Sequence, residues 1–292
     1  MVEASANMMT AKKRVIVNAD DFGLCETVNT AIISIFKAHN LNSTTMMVNM
    51  PGTLHAVELA KENPALQVGL HFCITEGSAL TGVSTLTDRE GKFLNRAELL
   101  MRLIQFRVKK LDIRNEFVAQ LDKFDSFGLP ISHIDSHQHL HMAPQVFAAI
   151  TPLVESRELP MRIVCPSIRH SLVMKRPLKY FKQVVNKAIS KVLKARFVGK
   201  SNDCLISIFD LDGFVGIDSN IYERLISETG DHEVVELMVH PFSLGKDMLE
   251  IYGDSLINKA GFLKVCELEY KCLSNKRVIS DPLYAVIGYR DL

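Results

Sequence analysis

The chain has 292 residues, 47% of them hydrophobic, with 34 basic against 33 acidic side chains and a formal net charge of +1. That length can bury the core of one α/β barrel or of two smaller domains, and the charge balance argues against nucleic acid or a membrane surface as partner. Six cysteines without a Cys-x-x-Cys pair, a start lacking a basic and apolar leader, and no apolar run of membrane-spanning length together point to a reduced, cytoplasmic setting.

In chain order, Arg14–Asn18 reads as a strand running into Ala19-Asp20-Asp21-Phe22-Gly23, followed by a helix over Cys25–His39. Ser43–Asn49 reads as a second strand, Leu54–Lys61 as a helix and Gln67–Phe72 as a third strand. A polar loop from Thr75 to about Asn95 precedes one long helix over Arg96–Phe127, stopped by Gly128-Leu-Pro130. Ile131–Ser136 is a strand, and Pro144 suits the first turn of a helix reaching Ser156. Then come a strand at Met161–Cys165, a helix over Ser171–Phe197 interrupted at Pro177, and a strand at Cys204–Ile208. A helix near Ser219–Glu228, a strand over Val234–His240 and a helix near Gly261–Leu273 complete the series. Between Lys175 and Lys200 lie nine basic residues and no acidic one, interleaved with apolar positions, as on an outer helix with a solvated face. Alternating strands and helices predict parallel βα units. The expected fold is α/β, one barrel domain over residues 13–292, behind a flexible extension at 1–12.

The chemistry concentrates in His133-Ile-Asp-Ser-His-Gln-His-Leu-His141. Four imidazoles and Asp135 on alternate positions would share one face while the segment stays extended. A core has little use for them, because each brings polar nitrogens that cost free energy when buried unpaired. Asp20 and Asp21, His71 and His240 also follow apolar runs, where strand ends in a βα barrel converge. One carboxylate and two histidines make a familiar divalent-metal set, but spacing alone does not say which histidine of the cluster binds. The competing readings are a surface turn in which an Asp caps the next helix, a satisfied loop histidine at 71, and an ordinary strand-end histidine at 240.

Val17-Asn-Ala-Asp-Asp-Phe-Gly23, Ser43-Thr-Thr-Met46, Gly69-Leu-His71, the 133–141 cluster and Val239-His-Pro241 occur in order. Together they resemble the YdjC-like carbohydrate deacetylases, the group that contains chitooligosaccharide deacetylase. The resemblance implies a distorted TIM-like (β/α) barrel that hydrolyses N-acetyl groups of small amino-sugar oligosaccharides with one divalent cation, Mg²⁺ or Zn²⁺. By position it makes Asp21, His71 and His137 the metal ligands, Asp20 the catalytic base and His240 the acid. His139 is an alternative ligand, and His133, Asp135 and His141 are supports. Arg162 would contact substrate or steady a carboxylate. The alternatives in other classes are a metal-dependent phosphoester hydrolase and a non-catalytic sugar-binding protein with a structural metal. The expected partner is a small acetylated sugar, and a homodimer is expected only on base rates.

Overall fold

Short runs of Val, Ile, Leu and Thr between turn residues form the strands, and intervening helices return the chain so that neighbours run parallel. The computed structural model describes residues 12–167, 177–211, 220–253, 256–275, 277–280 and 282–292. Among these described residues, seven strands form one sheet: β1 (Lys13–Phe22), β2 (Ser43–Met46), β3 (Gln67–Phe72), β4 (Ile134–Ser136), β5 (Cys204–Ile206), β6 (Val234–Val239) and β7 (Tyr284–Ile287). The order is β4-β3-β2-β1-β6-β5, all parallel, with β7 paired to the start of β1. Parallel bridges Ile134–Met161 and Pro166–Leu205 carry segment 161–166 from β4 to β5. The sheet therefore curls into a distorted TIM-like barrel, as expected. Only isolated bridges stand where a regular strand was expected at Met161–Cys165.

Around it lie α1 (Glu26–Lys37), α2 (Thr53–Glu62), α3 (Arg96–Ile104), α4 (Lys110–Ser126), α5 (Pro144–Ser156), α6 (Pro177–Lys194), α7 (Ile221–Ser227), α8 (Lys246–Tyr252) and α9 (Leu256–Asn275). One buried apolar cluster, running from Val15 to Ile279, joins strands to helices. Of the basic amphipathic stretch, Ser190, Leu193 and Phe197 are buried while Phe181 and Val192 face solvent. Among the described residues, no helix is long and apolar enough to cross a membrane.

The long helix expected over Arg96–Phe127 is two helices, parted at 105–109, where Phe106 has φ +55°. Contacts distant in sequence account for the break. The Thr85 hydroxyl accepts from the Lys109 amide (3.0 Å) and donates to Asp112 (2.6 Å), and the Leu80 and Thr81 amides donate to Glu116. These bonds fasten the polar loop to α4 and fix where that helix starts. The expected extension at 1–12 lies outside the described residues except for Lys12, as do 171–176 of the helix expected from Ser171.

Candidate active site

Parallel strands bring their carboxyl ends to one rim of the barrel. On β1, Asn18 and Asp20 share a face by the two-residue period, and the Asn18 amide donates to Asp20 Oδ1 (2.9 Å). Asp21 would ordinarily point away. Its φ of +67° and a register shift against β2 between Ala19 and Phe22 turn it back to the rim. Gly23 completes the turn at φ +91°, where a Cβ would lie 2.4 Å from the Met47 carbonyl oxygen. Both aspartates are buried, and the helix that follows has Cys25 at its N-cap with no side-chain cap bond. The surface-turn reading therefore does not hold.

Register between β3 and β4 sets His71 opposite Asp135, and their side chains meet at 2.7 Å, Nδ1 to Oδ1. The Thr45 hydroxyl donates to the other Asp135 oxygen (3.0 Å). With Nδ1 engaged, His71 Nε2 faces Asp21 Oδ1 at 3.2 Å, and His137 Nδ1 approaches the same oxygen at 2.8 Å. Asp21, His71 and His137 thus offer three ligand atoms within 4.8 Å of one another. Burial opposes charge on both Asp21 and His71. Even so, His137 and His71 hold the Asp21 carboxyl well below the usual carboxylate range, and Asp135 with Asp21 raises His71 to about 10. Two imidazoles and one carboxylate, with His71 oriented from behind by Asp135, fit a divalent cation. Asp20, His71 and Asp135 form a second group by distance alone. There a guanidinium already pairs with both carboxylates.

That guanidinium belongs to Arg162, which is fully buried. Its Nη1 and Nη2 grip Asp20 at 2.8 and 2.7 Å, Nη1 also meets Asp135 at 2.7 Å, and Nη2 meets Glu236 at 2.6 Å. Burial raises Asp20 while Arg162 lowers it, and the outcome is a carboxyl below its ordinary value. Glu236 stays above its own, because burial outweighs Arg162 there. Beneath lies Tyr289, whose hydroxyl donates to Glu236 (2.5 Å) and whose ring stacks on His133 at 3.8 Å. Gly69 makes room for that imidazole; a Cβ there would come within 2.6 Å of its Nδ1.

His240 follows β6 with Nε2 3.9 Å from Asp20 Oδ2, while its backbone amide donates to the buried Glu269 (2.5 Å). Phe209 and Phe262 meet its ring edge-on at 5.4 and 5.6 Å. Burial holds its pKa below the ordinary histidine value although Asp20 and Asp21 pull the other way.

The alternate-residue alignment of the histidine cluster ends with β4. Residues His137–Met142 form a 3-10 turn in which Gln138 (φ 54°) and His139 (φ 60°) are left-handed, each costing about 1–3 kcal/mol. His141 Nε2 donates to the Arg162 carbonyl (3.0 Å), leaving Nδ1 to accept from Ser136 Oγ (2.6 Å). His141 therefore braces the Arg162 segment. His139 Nδ1 and Gln138 Oε1 are buried and have no hydrogen-bond partner among the described residues.

Two cavities adjoin these residues. One of about 910 Å³ is lined by Thr75, Glu76, Phe93 and Tyr252, with Glu76 4.0 Å from His137 Nε2. The other, about 450 Å³, is lined by Gln138, His139, Phe209 and Met238.

The YdjC-like protein family matches residues 14–272. The chain belongs to this family. A carbohydrate deacetylase of Geobacillus stearothermophilus is 43% identical over 227 residues, covering 77% of this chain and 78% of that protein. A carbohydrate deacetylase of Clostridium beijerinckii is 32% identical over 284 residues, covering 96% of this chain and all of the other. A crystal structure from Enterococcus faecalis V583, provisionally assigned to cellobiose-phosphate cleavage, superposes with a TM-score of 0.75 over 96% of this chain and 98% of that one. At 22% identity it speaks to the fold alone.

In this YdjC-like chain the structure brings Asp20, Asp21, His71, Asp135, His137, Arg162 and His240 together at one rim. His133 and His141 lie beneath and beside them. Sequence reasoning missed Thr45 as a partner of Asp135, although its motif was noted, and gave no role to Glu236, Glu269 or Tyr289. A glutamate inside the apolar run Val234–Val239 was the available signal for Glu236. Nothing comparable marks Tyr289, near the end of the chain.

Proposed function

We infer that the protein is a metal-dependent carbohydrate deacetylase that hydrolyses N-acetyl groups of amino sugars and releases acetate. The observation that carries this reading is the Asp21–His71–His137 donor set beside an Arg162-held Asp20, within a chain of the YdjC-like family. We propose Asp21 Oδ1, His71 Nε2 and His137 Nδ1 as the ligands. Nitrogen-rich donors favour Zn²⁺, with Mg²⁺ the alternative if water completes its shell. When bound, the cation supplies Lewis-acid polarisation of the acetamide carbonyl.

In the proposed reaction Asp20 accepts a proton from the attacking water as its oxygen joins the acyl carbon. Arg162 keeps Asp20 ionised and fixed in orientation. His240, 3.9 Å from Asp20 Oδ2, is placed to relay a proton to the nitrogen as the C–N bond breaks. Acetate and a free amino sugar result, and the chain's own groups end in their starting protonation states. Arg162, fully enclosed by carboxylates, is assigned to steadying Asp20 rather than to touching sugar. His133 and His141 are assigned supporting roles. We further propose one domain over 13–292, supported by a main buried cluster that joins strands to helices, and a cytoplasmic setting, supported by six cysteines of which none forms a disulfide.

Acetate release from a panel of N-acetylated mono- and oligosaccharides, with cation-loaded and chelated protein side by side, tests this function. Release that depends on the cation supports it. Phosphate release from sugar phosphates with no acetate from any member of the panel would transfer the site to phosphoester hydrolysis.

A further inference from the structure

β6 is apolar from Val234 to Val239 except at Glu236, which is fully buried. Stability alone gives little reason for a carboxylate there, because buried ion pairs can often be exchanged for well-packed apolar residues without loss. Orientation supplies a reason. The guanidinium of Arg162 is planar, and its N–H groups point in fixed directions. Glu236 Oε1 accepts along one edge, from Nε (2.9 Å) and Nη2 (2.6 Å). Asp20 accepts along the next edge, from Nη2 (2.7 Å) and Nη1 (2.8 Å). A fork gripped on two edges cannot turn about its stem, so the plane of Arg162, and with it that of Asp20, is set from the Glu236 side. Tyr289 completes the hold, since its hydroxyl donates to Glu236 Oε2 (2.5 Å) and leaves both carboxylate oxygens engaged.

The same strand places the acid. Glu236 and His240 are four residues apart, so the two-residue period turns both toward the barrel interior. Ala19 pairs with Val239 in register, which brings Asp20 and His240 out of adjoining strands with 3.9 Å between Oδ2 and Nε2. Glu236 belongs to neither group of side chains with metal-ligand spacing among the described residues. We propose that Glu236 is a positioning residue of the reaction: braced by Tyr289 and acting through Arg162, it holds the Asp20 carboxylate in the plane from which Asp20 takes the proton of the attacking water. Its effect is on the rate of the chemical step and not on the binding of sugar or cation.

The test compares Glu236→Met, Glu236→Gln and Tyr289→Phe with wild type as cation-loaded full chains. It reads acetate release from N,N′-diacetylchitobiose per bound cation, which leaves any unfolded fraction out of the rate, beside crystal structures of the same proteins. Glu236→Met removes both acceptor oxygens at similar bulk. It is expected to lower kcat about 10²-fold, the effect of a small misplacement of a reacting group, with KM changed less than about twofold. Gln keeps an acceptor for Nε and Nη2 and an amide that can donate to the Tyr289 hydroxyl, so Glu236→Gln should restore kcat to within about threefold of wild type. Tyr289→Phe should fall between them, about fivefold slow, the effect of one lost hydrogen bond. Cation affinity should hold in all three, because Asp135 keeps its contacts with Thr45 (3.0 Å) and His71 (2.7 Å). Arg162 should keep both contacts to Asp20 in Glu236→Gln and lose at least one in Glu236→Met.

Wild-type kcat in Glu236→Met, Arg162 still on both Asp20 oxygens there, or a Glu236→Gln variant as slow as Glu236→Met would overturn the proposal. So would loss of the cation, which would move Glu236 to the metal centre. If Glu236→Met does not fold, Tyr289→Phe decides, and wild-type kcat in it overturns the positioning role. Only the identity of the reaction rests on the deacetylase reading; the crystal contacts do not depend on it. A displaced Arg162 in Glu236→Met, with no acetate released by wild type from any N-acetylated sugar, refutes the deacetylase and keeps the positioning. Acetate release by wild type with Arg162 unmoved in Glu236→Met does the reverse.

Discussion

Arg162 and Asp20 form a two-point contact in the barrel interior, Nη1 to Oδ2 at 2.8 Å and Nη2 to Oδ1 at 2.7 Å. A planar guanidinium matched to a carboxylate fixes the orientation of Asp20 as well as its charge. The same Arg162 also contacts Asp135 and Glu236, so a single cation holds three buried carboxyl groups together.

Replacing Arg162 by Met should therefore be far more damaging than its volume suggests. The carboxylates left behind lose their counter-charge, a loss of about 3–5 kcal/mol. Denaturant unfolding checks this, and Arg162→Lys should recover part of the stability but not the orientation of Asp20.

Asp20→Asn should lower kcat about 10²–10⁴-fold, the range for a positioned proton acceptor, while binding the cation as the wild type does. Metal analysis of the purified variant beside its acetate-release rate separates the two effects. A variant that lost its cation would show that Asp20 acts as a ligand.

Asp21→Ala and His71→Ala should each lower cation occupancy, because each removes one of three converging donors. Occupancy measured at limiting cation provides the check. Asp135→Asn should weaken binding less than either, since Asp135 reaches the cation site indirectly, by orienting His71 through Nδ1. Full occupancy in both alanine variants would remove those residues from the ligand set.

Glu269 makes stability depend on pH in a definite direction. Burial raises its pKa to about 8, whereas the unfolded chain has an ordinary glutamate. Below the unfolded value both states are protonated and the fold has no disadvantage. As pH rises toward 8 the unfolded state ionises first, so the contribution of Glu269 to stability is progressively lost. Glu269→Gln should be close to wild type near pH 5 and more stable than wild type near pH 8. Thermal midpoints across that interval decide the matter, and parallel curves would contradict the assignment.

How well the sequence foretold each part depended on whether its cause was local. β3 at Gln67–Phe72 and α5 at Pro144–Ser156 lie where expected, because turn residues and a first-turn proline bound them. The break at 105–109 was hidden because its cause, Thr85 reaching Lys109 and Asp112, is a contact distant in sequence. Asp20, Asp21, His71 and His240 were legible as polar groups after apolar runs. Alternation misled beyond Ser136, where left-handed Gln138 and His139 send the cluster's later members to separate tasks. The short segments α8 and β7 went unseen, and with them Tyr289, which follows β7 and supports Glu236 from below.

Time-resolved mass spectrometry of cation-loaded wild type with N,N′-diacetylchitobiose, run beside Asp20→Asn at equal cation occupancy, tests the central claim most directly. Loss of an acetyl group from the sugar with wild type but not with Asp20→Asn is the expected result. Equal rates of acetyl loss in both proteins would contradict Asp20 as the base. An intact sugar with the loaded wild type, repeated across other acetylated sugars, would contradict the deacetylase itself.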